Sequence, residues 1–272
     1  MGTVFAISVA AGLVGALSGM GGGVVLIPAL TLLGLDIRHA IAVSVVSVIA
    51  TSSGAAAAYV RDRITHVKTG MFLEMFTITG ALVGATIMLA SGEKLLFVLF
   101  GVVLLGSWAA LLWRRTGEGR QRAQDRLSAW LELSGSYYDM AADRTVVYEG
   151  TRAGVGGPLM FGVGLIAGML GIGAGALKVL VLDLIMGYPP KVSTTTSNMI
   201  IGVTALAGAS VYLAAGLIDP GLAAPVALGV VVGAFLGTRL LVHMRNRAVR
   251  SFFLVVLLIL GLEMIGRGLG VV

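Results

Sequence analysis

Gly19-Met-Gly-Gly-Gly-Val-Val-Leu-Ile-Pro28 interrupts an otherwise apolar run, and a second version, Gly171-Ile-Gly-Ala-Gly175, interrupts another further along the chain. Each glycine lowers helix stability by about 1 kcal/mol relative to alanine. Clusters of glycine within such apolar sequence therefore predict deliberate breaks. Non-helical backbone at membrane depth survives only where it is buried in protein or lines a wet cavity. Interrupted segments in corresponding positions of two halves point to the binding site of a transporter.

The rest of the composition agrees with a bilayer setting. Of 272 residues, 57% are hydrophobic and 12% charged, about half the charged fraction of a soluble domain. The mean hydropathy is +0.99, and runs such as Leu95 to Trp113 and Phe252 to Ile265 are long and apolar. The net charge of +6 does not indicate nucleic acid, because the basic residues lie between the hydrophobic segments, as the positive-inside rule expects. The absence of cysteine excludes disulfides, thiolate metal sites and cysteine nucleophiles. Met1 to Leu17 carries no Lys or Arg and is expected to be a retained membrane segment, not a signal peptide.

In chain order, residues 3–18 and Val24 to Leu33 are each short for a full span and predict a broken helix or re-entrant hairpin around the first glycine cluster. Ala40 to Val60, Met71 to Ala90 and Leu95 to Trp113 are full spans. Residues 114–152 are charged and are expected to be a solvated linker, with a short interfacial helix around Leu127 to Leu133. The second half then replays the first. Gly164 to Gly175 lies over Gly12 to Gly23, and Ser193-Thr-Thr-Thr-Ser-Asn198 lies over the Ser44 region. Gly233-Ala-Phe-Leu-Gly237 lies over Gly80-Ala-Leu-Val-Gly84, and 252–266 over 95–113.

Arginines set the expected orientation. The loops at 61–69, 114–152 and 243–250 are basic and should be cytoplasmic, leaving those at Asp36, Glu93 and Asp219 outside. Corresponding loops 61–69 and 217–219 then face opposite sides. The repeats are thus expected to be inverted, each glycine-broken unit crossing an even number of times, with both termini outside.

The candidate site follows from these repeats. Helix ends at Gly21, Gly22, Gly23, Gly173 and Gly175 would aim unpaired N–H groups at a common point, suited to an anion. Ser44, Ser47 and Thr51, and later Thr195, Thr196, Ser197 and Asn198, would supply neutral donors, their bland alternative being interhelical glue. Lys178 lies inside a membrane segment, where a lysine costs about 3 kcal/mol and marks function; Asp183 is a candidate structural partner. Glu74 and Asp183 are candidates for proton coupling, although Glu74 and Glu263 are first read as interfacial anchors. Pro28 and Pro189-Pro190 should end or kink helices. His39, His66 and His243 are too scattered to make a metal site. Walker, HExxH and nucleophile-elbow motifs are absent from the sequence.

Gly19 to Pro28, the helix Ala40-Ile-Ala-Val-Ser-Val-Val-Ser-Val-Ile-Ala-Thr-Ser-Ser53, and Val192-Ser-Thr-Thr-Thr-Ser-Asn198 together resemble the TauE/SafE family of sulfite and organosulfur-anion transporters, over nearly the whole chain. The resemblance implies export or uptake of sulfite, a sulfonate or a related anion. The second motif departs from the first at Ala174 and at Leu180, which stands in the place of Pro28, so the two should contribute unequally. The expected molecule is an all-α integral membrane protein of the cytoplasmic (inner) membrane with two inverted-topology repeats. Residues 1–113 form the first repeat, 114–152 the cytoplasmic linker and 153–272 the second. It is read as a secondary transporter and not an enzyme, with an anion-selective channel and then a membrane-embedded enzyme as runners-up. A small anion and the bilayer are its expected partners, with no cofactor, metal or nucleic acid; the oligomeric state, a homodimer included, stays open.

Overall fold

Long apolar runs fold as helices because a helix satisfies its backbone polar groups without water. The computed structural model describes residues 2–18, 21–61, 64–113, 125–139, 143–243 and 246–270. Gly19 and Met20 of the first glycine cluster, and the basic residues within 62–63, 114–124 and 244–245, lie outside them. The first half comprises α1 (Gly2–Ser18), α2 (Gly23–Leu32), α3 (Ile37–Arg61), α4 (Val67–Ala90) and α5 (Glu93–Trp113). A connector of α6 (Arg126–Trp130), β1 (Ser134–Asp139) and β2 (Arg144–Glu149) follows. The second half comprises α7 (Ala153–Leu170), α8 (Gly175–Leu180), a π-helical turn at Val181–Ile185, α9 (Pro190–Ala214), α10 (Pro220–His243) and α11 (Asn246–Leu269). The protein is therefore an all-α integral membrane protein apart from one hairpin, with five helices among the described residues long and apolar enough to cross a bilayer. Large apolar side chains such as Met71 and Met75 on α4, Phe235 on α10 and Ile259 on α11 are exposed outward, as lipid contact requires.

Glycines set which helices touch. A Cβ on Gly229 would run into the Phe5 carbonyl and Ser8, and one on Gly233 into the Val9 carbonyl and Leu13, so α1 and α10 pack backbone to backbone. Gly80 and Gly84 meet Phe161 and Leu165, while Gly164 and Gly168 meet Thr77 and Ala81, which fixes α4 against α7 in the same way. In both pairs residue numbers rise together, so the helices run parallel. By contrast α5 and α11 are antiparallel, Gly101 lying against Gly261 and Gly268 against Val98. α3 and α9 are also antiparallel: Ser52 sits at Gly202, whereas Val45 sits by Ala205 and Gly208. Exchanging α1–α5 for α7–α11 leaves this set of pairings unchanged.

The return legs α2 and α8 are short. Pro28, expected to end or kink a helix, lies inside α2 instead of at its end. Its counterpart position, Leu180, leads into the π turn, closed by the Met186 N–H on the Val181 carbonyl at 3.0 Å. The second leg returns to the end where α7 starts, since the Thr151 N–H bonds the Met186 carbonyl at 3.0 Å. Pro190 opens α9 at its first turn, where the missing N–H costs nothing.

The connector is largely exposed yet more ordered than a bare linker. Residues 125–139 and 143–152 are folded, and the antiparallel hairpin β1–β2 was not anticipated. Asp125 caps α6 at Ser128 and also accepts from the Arg152 N–H at 2.6 Å, joining α6 to the start of α7. The hairpin docks at the end where α4, α7 and α9 begin. There the buried Tyr188 hydroxyl donates to the Leu133 carbonyl at 2.9 Å and contacts Thr69. Tyr148 packs edge-on against Tyr188, and the connector's Leu133 is fully buried. Glu263, expected as an interfacial anchor, pairs with Arg267 at 3.0 Å, and Arg267 donates to the Thr31 carbonyl at 3.1 Å, stapling α11 to the end of α2.

His66 ties this connector to α4. Its Nδ1 accepts from the Thr69 N–H at 3.1 Å as the helix cap, leaving the proton on Nε2 to donate to the Ser134 carbonyl at 3.1 Å. Burial holds its pKa below the ordinary 6.5, although the Ser134 bond pulls it upward. The undocked imidazole binds a proton more readily than the docked one, so docking is strongest above pH 6.5 and weakens as pH falls through that value. Limited proteolysis at the connector should therefore accelerate on acidification in the wild type relative to His66→Gln; identical profiles would show that His66 does not set the docking.

Candidate functional site

The two glycine turns meet. Gly23, at the start of α2, lies so close to the second turn that a Cβ there would be 3.0 Å from the Gly171 carbonyl oxygen. Gly21 and Gly22 lie against Val48, Thr51 and Ser47 of α3. Gly171 (φ 64°) and Gly173 (φ 70°) adopt left-handed backbone that a side chain would strain. They press against Ile41 and Ser44 on one side and Val48 and Ile201 on the other. Ala174 is left-handed too, at φ 47°, and stands where the first motif has glycine.

The hydroxyl residues fall into two groups. Ser44 Oγ lies 2.8 Å from the Ile41 carbonyl and 3.1 Å from the Gly171 carbonyl, bridging α3 to the second turn. Ser47 donates to the Ser44 carbonyl at 2.7 Å and Thr51 to that of Ser47 at 2.9 Å, so both protons serve their own helix. Ser197 donates to the Gly175 carbonyl at 3.3 Å, holding α9 to the start of α8. Asn198 is buried one turn from Gly202, on the side of α9 that meets α3. Thr195 and Thr196 lie apart from the turns: Thr195 bonds the Ile64 carbonyl at 3.3 Å, and Thr196 accepts from the His66 N–H at 3.1 Å. Those two hydroxyls fasten the loop before α4.

Lys178 is fully buried. Side chains on a helix lean toward its N-terminus, so from α8 the ammonium reaches back toward the glycine turn and donates to Thr204 Oγ1 at 2.9 Å. Thr204 in turn lies 3.2 Å from Thr77 Oγ1 of α4. Glu74 of α4 is an acidic group close enough to act on the ammonium. Glu74 is half-buried, with one carboxylate oxygen out of contact with solvent, which sets it apart from an interfacial anchor. Asp183 sits in the π turn, half-buried.

Thr204 also lines a small cavity beneath the turns, bounded by Val45, Gly168, Gly171, Gly173 and Ala205. Sequence reading missed Thr204 and Thr77. The signal for Thr204 was present, since it lies seven positions after Ser197 and so returns to the same helix face.

Multi-pass helices, paired broken-helix hairpins and a buried lysine beside their meeting point define a membrane transport protein. The chain belongs to the family described as Sulfite exporter TauE/SafE, whose sequence pattern matches residues 4–264. It is 26% identical over 268 residues to a protein of Bacillus subtilis (strain 168) named "Probable membrane transporter protein YunE", with 95% of each chain covered. No solved structure matches it.

The second turn makes a sharp prediction. Ala174→Gly should fold at least as well as the wild type, because it removes a left-handed strain of about 1 kcal/mol. Gly173→Ala should be destabilised, because its Cβ would lie 2.8 Å from Ile201 Cγ2 at positive φ. Thermal unfolding in detergent measures both, and the reverse ranking would refute the assigned strain.

Proposed function

We propose that the protein is a secondary transporter of a small sulfur-containing anion, such as sulfite or a sulfonate, across the cytoplasmic membrane. Its anion site lies where the two glycine turns meet. The halves 1–113 and 153–272 act as inverted repeats that rock about this site, with 114–152 as the cytoplasmic connector. The observation that carries the reading is Lys178, fully buried with one hydrogen bond from its ammonium among the described residues, to Thr204. An ammonium has three N–H donors, so two remain for an oxyanion. The nearby starts of α2 and α8 add helix-end N–H groups without adding a charge. Gly21, Gly22, Gly23, Gly173 and Gly175 let backbone approach the anion. Ser44, Ser47, Thr51, Ser197 and Asn198 form the walls, and Thr195 and Thr196 support the cytoplasmic end. Antiparallel α3–α9 and α5–α11 crossings, and helix pairings unchanged by exchange of the halves, support the inverted arrangement. The family match supports sulfite as the first anion to try.

Purified protein in liposomes should show saturable counterflow of labelled sulfite; unitary currents under voltage would instead make it a channel. Lys178→Ala should weaken anion binding by about ten- to a hundredfold, the loss of a charged hydrogen bond worth about 1.5–3 kcal/mol. Unchanged affinity would remove Lys178 from the site. Gly22→Leu should stop transport by filling the space beside Ser47 and Ala11, and a fully active variant would reduce the glycines to packing. On this cysteine-free chain, Thr65→Cys and Leu217→Cys should label from opposite sides of the membrane. Labelling from the same side would sink the inverted repeat.

A further inference from the structure

Lys178 of α8 reaches α4, the helix that carries Glu74, through two threonines. Thr204 accepts from the ammonium and lies 3.2 Å from Thr77. Glu74 precedes Thr77 by three positions, hence on the same face of α4, and the Thr77 hydroxyl donates to the Glu74 carbonyl at 3.1 Å. The Glu74 carboxylate holds Oε1 buried without a hydrogen-bond partner among the described residues. A buried acceptor lacking a donor is costly, and protonation removes much of that cost. Among the described residues the charge acting on Glu74 is the Lys178 ammonium, and the charge acting on Lys178 is the Glu74 carboxylate. The α9 side chain that meets them, Thr204, is neutral.

We infer that Glu74 is the proton site of this transporter, taking up one proton as an anion occupies the free donors of Lys178. The inference rests on the anion site proposed above. An ammonium and a carboxylate sum to zero charge. A monovalent anion arriving beside them leaves a net negative charge in a low-dielectric interior, where an uncompensated charge is expensive. One proton from the solution then bonds to a Glu74 carboxylate oxygen, making the neutral acid and restoring zero. The same proton leaves when the anion does. Anion and proton therefore travel in the same direction, and a monovalent anion moves without net charge.

The test uses the whole protein in liposomes, with sulfite and the non-titrating methanesulfonate as probes. Anion uptake should rise as external pH falls, and entrapped pyranine should report one proton entering per methanesulfonate. Infrared difference spectra on adding anion should show a carboxylic acid band that Glu74→Gln lacks. Glu74→Gln should bind and exchange anion with a flat pH profile, whereas Glu74→Asp should keep the wild-type slope. Anion transport without proton entry, or an unchanged pH profile and infrared band in Glu74→Gln, overturns the coupling while leaving the anion site standing. Failure of the wild type to bind or move either probe overturns the anion site itself, and the coupling with it.

Discussion

A carbonyl oxygen without a donor at bilayer depth costs several kcal/mol, and the interior of this protein is arranged around one such oxygen, that of Gly171. The helix ends there, so the carbonyl has lost its own ladder. Ser44 of the opposite half supplies a hydroxyl at 3.1 Å, and Gly23 closes over it from the first turn. Each turn is covered in part by its own half, Gly22 by Ala11 and Ser47 and Gly173 by Ile201, and in part by the other, Gly23 meeting Gly171 and Gly173 meeting Val48. The two halves are therefore held together by the same exposed backbone that makes the centre suited to a polar ligand.

Packing elsewhere serves that requirement. Helices α1 and α10, and α4 and α7, touch through glycines whose missing side chains let carbonyls approach. In lipid, hydrophobic burial gives little drive between helices, so dispersion at close range has to hold them. The closeness of α4 to α7 and α9 also brings Thr77 to Thr204 and Glu74 toward Lys178. Contacts that look purely structural thus bring an acid close to the buried lysine.

Much of the fold was legible in the sequence, since glycine clusters and apolar run lengths speak directly about backbone. The breaks at Gly21–Gly22 and Gly171–Ala174 and the spans around them follow from propensity and length alone. The lysine's partner was less legible. The leaning of helix side chains sends the Lys178 ammonium back toward Thr204, seven residues after Ser197 and outside any motif the sequence displays. The hydroxyl run at 193–198 reads as one feature, but successive residues point in different directions around the helix. Ser197 meets Gly175 while Thr195 and Thr196 reach the loop at 64–66. The connector's hairpin was hidden because its charges outnumber its core: Leu133, Tyr137 and Tyr148 suffice to dock it only because Tyr188 and His66 wait on the other side.

The two return legs interrupt their hydrogen-bond ladders by different chemistry and about a turn apart in register, Pro28 in α2 and the π turn after Leu180 in the second leg. A proline has permanently given up its N–H, so the first leg carries a fixed defect that no rearrangement repairs. A π turn retains every donor and merely shifts each to a carbonyl one residue further back. The second leg therefore keeps its donors bonded where the first leg has lost one. In two legs that meet at Gly23 and Gly171, one thus carries a backbone position that can never donate, and the other a ladder whose every donor remains in use.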